Sequence, residues 1–194
     1  MNYVGRDPSQ ETGVLFEKAV FNALNVVNRL SDQELDPIIK DAVDDAAAKG
    51  VAEIVEMEMI HNLAVWKRRI QEMGIDKLRI HAGMYEYDEH IHDAIDHNLK
   101  SGDVIPEPQG LFQVRPYKII TVSPKDGSLG ARSAYCFSPY PGTNSQGEWI
   151  YPTATLVSIL QFGTSHSLRL AVHAIGDLAN RLTLQAFHSL HPPC

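Results

Sequence analysis

The sequence predicts an α/β chain, a parallel sheet whose strands are joined by helical crossovers. Three observations predict it. A short apolar run followed by an amphipathic helix recurs four times along 194 residues, the pattern of βα units. No segment is low-complexity and nothing repeats at the sequence level. The last apolar run, Leu168–Val172, leads into His173 at a strand's carboxyl end, where α/β folds place their chemistry. Four units suit either an open doubly wound sheet or half of an eight-stranded barrel.

The elements follow in order. Ser31-x-x-Glu34 is a capping box that opens a helix, and Leu35, Ile38, Ile39, Ala42, Val43, Ala46 and Ala47 fall at i, i+3, i+4, i+7 spacing. Lys49-Gly50 closes it. Val51–Met57 reads as a strand, and Leu63, Trp66, Ile70 and Met73 mark a helix ended by Gly74. Leu78–Met84 is the next strand, followed by a helix carrying Ile91, Ala94, Ile95 and Leu99 that closes near Gly102. Leu111–Val122 holds the third strand. A short helix around Thr153–Phe162 precedes the fourth strand, Leu168–His173, and Asp177 caps a last helix with the stripe Leu178, Leu182, Ala186 and Leu190. The irregular stretch Ser123–Pro152, rich in Gly, Pro and Ser, is long enough to read as functional or disordered, and by following a strand it lies on the catalytic face of a barrel.

Composition narrows the function. The chain is 44% hydrophobic and 21% charged, ordinary for a soluble domain with a real core. A formal net charge of −7 argues against nucleic acid as a partner. Two cysteines, Cys136 and Cys194, supply neither a disulfide framework nor zinc-ligand spacing. The amino terminus lacks an apolar signal core, and no apolar run approaches a membrane span, so the expectation is a cytoplasmic protein without a membrane partner. No Gly-x-Gly-x-x-Gly or P-loop follows any strand, which weakens nucleotide-binding readings.

His90-x-His92 looks like a binuclear-metal signal, but it opens a helix, where residues two apart point about 200° apart and cannot chelate together. His92 with Asp96 is better spaced, and a solvated helix face explains that pair. Lys118 sits inside VRPYKIITV, a strand-forming run; it reads either as a solvent-facing lysine on an edge or as one pointing into an active site. There it would act as a base, or as a carbamate bridging two metals. His173, taken alone, reads as a polar residue satisfied at a strand–helix turn or as a ligand. His61, His81, His166 and His188 read as structural or exposed. Ser128, Ser133 and Cys136 have no base at a recognisable local spacing, so nucleophilic catalysis is unsupported.

Taken together, AVHAIGDLANRLTLQAF (171–187), DGSLGARSA (126–134) after the strand that carries Lys118, and PYPG with GEW (139–149) resemble the amidohydrolase superfamily, specifically its amidohydrolase-3 (YtcJ-like) group. GVLFEKA (13–19) and AAAKGVAEIVEM (46–57) add weaker support. The resemblance runs from about Gly13 to Leu190. It implies a metal-dependent (β/α)8 TIM barrel whose members hydrolyse carbon–nitrogen bonds other than peptide bonds, with one or two divalent metals, zinc or similar, activating water. It implies a small-molecule amide-type substrate. It also implies ligands from strand 1 (His-x-His), strand 4 (often a carbamylated lysine), strands 5 and 6 (one histidine each) and strand 8 (an aspartate).

Position by position, Lys118 matches the strand-4 lysine and His173 the strand-5 histidine. Asp126, Arg132 and Asp177 match motif positions on the second-shell or substrate side. The remaining ligands have no counterpart, and the strands correspond to barrel strands 2 to 5. The chain thus reads as an internal fragment: a single partial barrel domain over 1–194, with 1–30 as a lead-in segment and 31–194 as four β/α units. One local departure stands out, since Val122–Lys125 adds four residues between Thr121 and Asp126 relative to the pattern.

Two metal ligands out of five sites give little hold on a metal. The expectation is a truncated member of a hydrolase family, inactive alone and prone to self-association through open sheet edges. The competing expectation is a non-catalytic α/β binding or scaffold protein that lacks a complete metal site.

Overall fold

The computed structural model describes residues 23, 30–58, 60–85, 90–107, 109–121 and 127–190, with only the backbone given for His90 and Asp93. Helix α1 (Asp32–Ala48) begins at a capping box: Glu34 N donates to Ser31 Oγ at 3.3 Å, and Ser31 N donates to Glu34 Oε2 at 2.8 Å. Strand β1 (Glu53–Glu56) leads to helix α2 (Asn62–Met73), which ends at Gly74 in a left-handed conformation, φ 66°. Strand β2 (Arg79–Tyr85), helix α3 (His90–Asp96) and strand β3 (Phe112–Ile120) follow. Helix α4 (Thr153–Ser165), strand β4 (Leu170–His173) and helix α5 (Asp177–Leu190) complete the order.

The four strands form one sheet in the order β1-β2-β3-β4. β1–β2 and β2–β3 are parallel. Tyr117 N donates to Arg169 O and Thr121 N to His173 O, both numbers rising together, so β4 is parallel as well. This is the α/β arrangement expected of a partial (β/α)8 barrel, all strands in sequence order with helical crossovers. No helix among the described residues is long and apolar enough to cross a membrane.

The chain divides into two compact units. The first comprises Ser31–Ile119 and Ser158–Val172; its core holds Trp66, Ile70, Leu78, Ile80, Ala82, Phe112, Val114, Ile119 and Leu160. The second comprises Met1–Leu30, Ile120–Val157 and His173–Cys194, and buries Ala134, Leu156, Ala179 and Ala186 among its described residues.

Two helix faces depart from the sequence pattern. On α1, Val43 is buried as expected, but Ile38 is 56% exposed and Asp36 is buried. Asp36 accepts from Arg68 Nη1 at 2.6 Å, Arg68 Nη2 at 2.8 Å and Arg69 Nε at 3.1 Å, so an ion-pair cluster occupies the seam that Ile38 was expected to fill. On α5 the buried residues are Ala179, Thr183 and Ala186, while Leu178, Leu182 and Leu190 are half-buried. The stripe is rotated because Tyr135 O accepts from Ala179 N at 3.1 Å, which brings the 133–137 backbone against the small-residue side.

Candidate functional site

Lys118 is placed by an irregularity in β3. Ala82 pairs with Val114 but Met84 pairs with Tyr117, so β3 spends one residue more than β2 over the same rise. Pro116 falls inside this bulge, where its missing N–H interrupts no required ladder bond. A one-residue slip exchanges the faces of every later side chain. Lys118 is therefore opposite Tyr85, on the face that also carries His81 and Gln113, whereas an unbroken register would set Tyr117 there. Tyr117 is instead buried, its ring edge-on to Phe162 at 6.3 Å. Gly163 leaves room for that packing, since a Cβ there would lie 2.8 Å from Tyr117 Cδ1.

The edge-strand expectation for Lys118 does not hold: β3 is an inner strand and Lys118 is half-buried. Burial lowers its ammonium pKa from the ordinary value. Among the described residues no carboxylate pairs with it.

The same face holds a polar network that the sequence did not reveal. His81, 2% exposed, has Nε2 3.1 Å from Glu53 Oε2, and its Nδ1 accepts from Arg115 Nε at 3.0 Å. Arg115 Nη2 donates to Gln113 Oε1 at 3.4 Å, and Arg79 Nη1 to Glu53 Oε2 at 3.2 Å. The Glu53 carboxyl is held below its ordinary pKa, first by His81 and then by Arg79. Only the period-2 alternation of His81 and of Arg115 with their neighbours hinted at this.

In the second unit the β4–α5 turn carries His173 and Asp177. His173 is half-buried, and its carbonyl accepts from Thr121 Oγ1 at 2.7 Å and Thr121 N at 3.1 Å. Gly176 has φ 106°, and a Cβ there would lie 2.1 Å from Tyr135 O, so only glycine fits both the turn and the approach of residue 135. Tyr135 N donates to Ile175 O at 3.0 Å. Asp177, the first residue of α5, accepts at Oδ1 from its neighbour Leu178 N and from Phe137 N, both at 2.8 Å. Its carboxylate clasps the 127–152 loop to the helix start.

That loop is irregular but well bonded. Ser128 O accepts from Ser133 N and Ala134 N at 3.1 Å, and Arg132 within the turn has φ 58° and is exposed. Tyr135 stacks on Trp149 with centroids 6.0 Å apart. Tyr140 donates from its hydroxyl to Ala134 O at 2.7 Å, and burial pushes its pKa up to about 12. Asp126 and the extra residues Val122–Lys125 lie outside the described residues. His92 and Asp96 are exposed on α3, as a solvated face requires.

Lys118 belongs to the first unit and His173 to the second. Among the described residues no group of three or more His, Cys, Asp or Glu is placed to hold a metal ion. A lysine binds metal only after losing its proton or becoming a carbamate, so the donor set among the described residues does not by itself fit a metal centre.

No protein-family model matches the chain. It is 28% identical over 192 residues to the putative amidohydrolase YtcJ of Bacillus subtilis (strain 168), an alignment covering 95% of this chain and 33% of that protein. Crystal structures of uncharacterized metal-dependent hydrolases from Pyrococcus horikoshii OT3 and Pyrococcus furiosus superpose with TM-scores of 0.72 at 23% identity. They cover 98% and 95% of this chain, and 37% and 38% of their own. The chain thus spans about a third of the length of the proteins it matches. These likenesses bear out the resemblance to the amidohydrolase-3 (YtcJ-like) group and the partial-barrel fold.

Proposed function

We propose that this chain is part of a hydrolase of carbon–nitrogen bonds other than peptide bonds, acting in the cytoplasm on a small-molecule amide-type substrate. The observation that carries the proposal is the similarity to YtcJ along 95% of the chain, together with the positions of Lys118 and His173 on successive strands of a parallel sheet. In this reading residues 31–194 are four β/α units of one partial barrel domain, preceded by a lead-in segment over 1–30. Lys118, as its carbamate, and His173 stand on the metal side, and Asp126, Arg132 and Asp177 on the substrate side. A divalent metal, zinc or similar, would supply activated water in the complete enzyme.

Two donors do not make that site, so the chain alone is proposed to be inactive and to self-associate through its open edges. Purified protein supplied with zinc or manganese is expected to show no turnover of N-acyl or cyclic-amide substrates; turnover above a Lys118→Ala control would overturn inactivity in isolation. Genomic sequence flanking the reading frame tests the parentage. An in-frame His-x-His upstream, and a histidine and an aspartate downstream, are expected.

A second reading, a non-catalytic α/β binding or scaffold protein, is favoured by the absence of a three-ligand cluster among the described residues. Near-stoichiometric bound metal in the purified chain would support the hydrolase; because two donors hold metal weakly under either reading, the flanking genomic sequence separates the two when no metal is bound.

A further inference from the structure

We infer that the first unit holds one buried water molecule, which donates a hydrogen bond to Asn62 Oδ1 and accepts one from Trp66 Nε1. The site does not depend on the hydrolase reading.

Asn62 opens α2 and is 2% exposed. Its Nδ2 donates to Glu58 O at 2.8 Å and to Gly83 O at 3.1 Å, tying the chain beyond β1 to β2. Two carbonyl oxygens can only meet a donor, so the orientation of the side-chain amide is fixed and Oδ1 points the other way. That oxygen is buried and accepts from no protein group among the described residues. A buried acceptor left without a donor is costly, and native proteins meet such atoms with protein groups or ordered water.

Trp66, four residues along α2 and 3% exposed, supplies the complementary atom. Its Nε1 can only donate, is buried, and meets no acceptor among the described residues. Residues four apart on a helix have Cβ atoms about 5–6 Å apart, and an aromatic side chain leans over the turn that precedes it. The indole is therefore directed toward Asn62. A water making two bonds of about 2.9 Å spans a gap of that size. The Arg69 guanidinium, 5.3 Å from the centre of the Trp66 ring, cannot take the indole hydrogen, because it too only donates.

The pairing of one acceptor with one donor selects the ligand. A cation would satisfy Oδ1 and oppose Nε1, and an anion would do the reverse. Water does both, and it brings no charge into an interior where an unpaired ion is expensive. With both partners buried, the water is part of the anchor that Asn62 forms between Glu58 and Gly83.

Magnetisation transfer from water to the Trp66 indole proton, measured by nuclear magnetic resonance on the isotopically labelled full chain, tests the inference. The indole proton is expected to show a water cross-peak of opposite sign in laboratory-frame and rotating-frame Overhauser spectra. That pattern marks a held water, whereas direct proton exchange gives the same sign in both. Asn62→Leu removes the acceptor, and is expected to weaken the cross-peak several-fold in a chain with an unchanged circular dichroism spectrum. A wild-type chain without the cross-peak would overturn the inference, and this measurement decides alone if Asn62→Leu does not fold. An undiminished cross-peak in folded Asn62→Leu would also overturn it, since the water would then be held without Asn62.

Discussion

Arg115 Nε donates to His81 Nδ1 at 3.0 Å, and because a guanidinium can only donate, the imidazole proton sits on Nε2, facing Glu53 Oε2 at 3.1 Å. One neutral histidine thereby ties three neighbouring strands together. His81→Leu leaves Arg115 Nε without its acceptor, and is expected to cost about 1–3 kcal/mol of stability. Urea unfolding reads this directly; an unchanged midpoint would show that the contact contributes nothing.

Asp36 couples the first unit to pH. The Arg68 bonds, aided by Arg69, lower its carboxyl pKa below the ordinary 3.8. A depressed folded value means the stabilisation is present in full above the unfolded pKa and is lost as pH falls through the folded one. Asp36→Asn is therefore expected to lower the urea midpoint at neutral pH and to flatten its decline below about pH 4. Parallel acid limbs for variant and wild type would remove Asp36 from the account.

Gly176→Ala sets a methyl against the Tyr135 backbone at a φ of 106°. Backbone strain and overpacking together are expected to cost on the order of 3 kcal/mol, seen as a lower melting temperature. Gly142→Ala serves as the comparison, because its φ is also positive, 75°, but a Cβ there meets nothing within 4 Å. Equal losses at the two positions would rule out the close approach as the cause.

Asp177 holds the loop through Phe137 N. Asp177→Ala is expected to speed limited proteolysis within 137–149 several-fold, and Asp177→Asn, which keeps an acceptor oxygen, to restore most of the protection. Identical cleavage rates in all three proteins would leave the clasp without a role.

The order of strands and helices was legible because each element carries its own period, cap or stop: the Ser31/Glu34 box, the Gly74 terminus, and the apolar run into His173. The faces were less legible. Nothing in the spacing of Leu35, Ile38 and Val43 says that Asp36 will be buried, because its partners Arg68 and Arg69 are 32 and 33 residues away. Lys118 was legible as a strand residue, but its face depended on the bulge at Pro116. A proline inside a strand run is the one local signal that could have warned of that change of register.

By itself the sequence determined the parallel α/β order, the amidohydrolase likeness and the strand positions of Lys118 and His173, since local periodicity and motif chemistry are written residue by residue. Only the tertiary structure decided which face Lys118 occupies, that His81 joins three strands, and that Asp177 clasps a loop to a helix start. Those outcomes depend on register and on partners far apart in the chain, where a shift of one residue exchanges one face of a strand for the other.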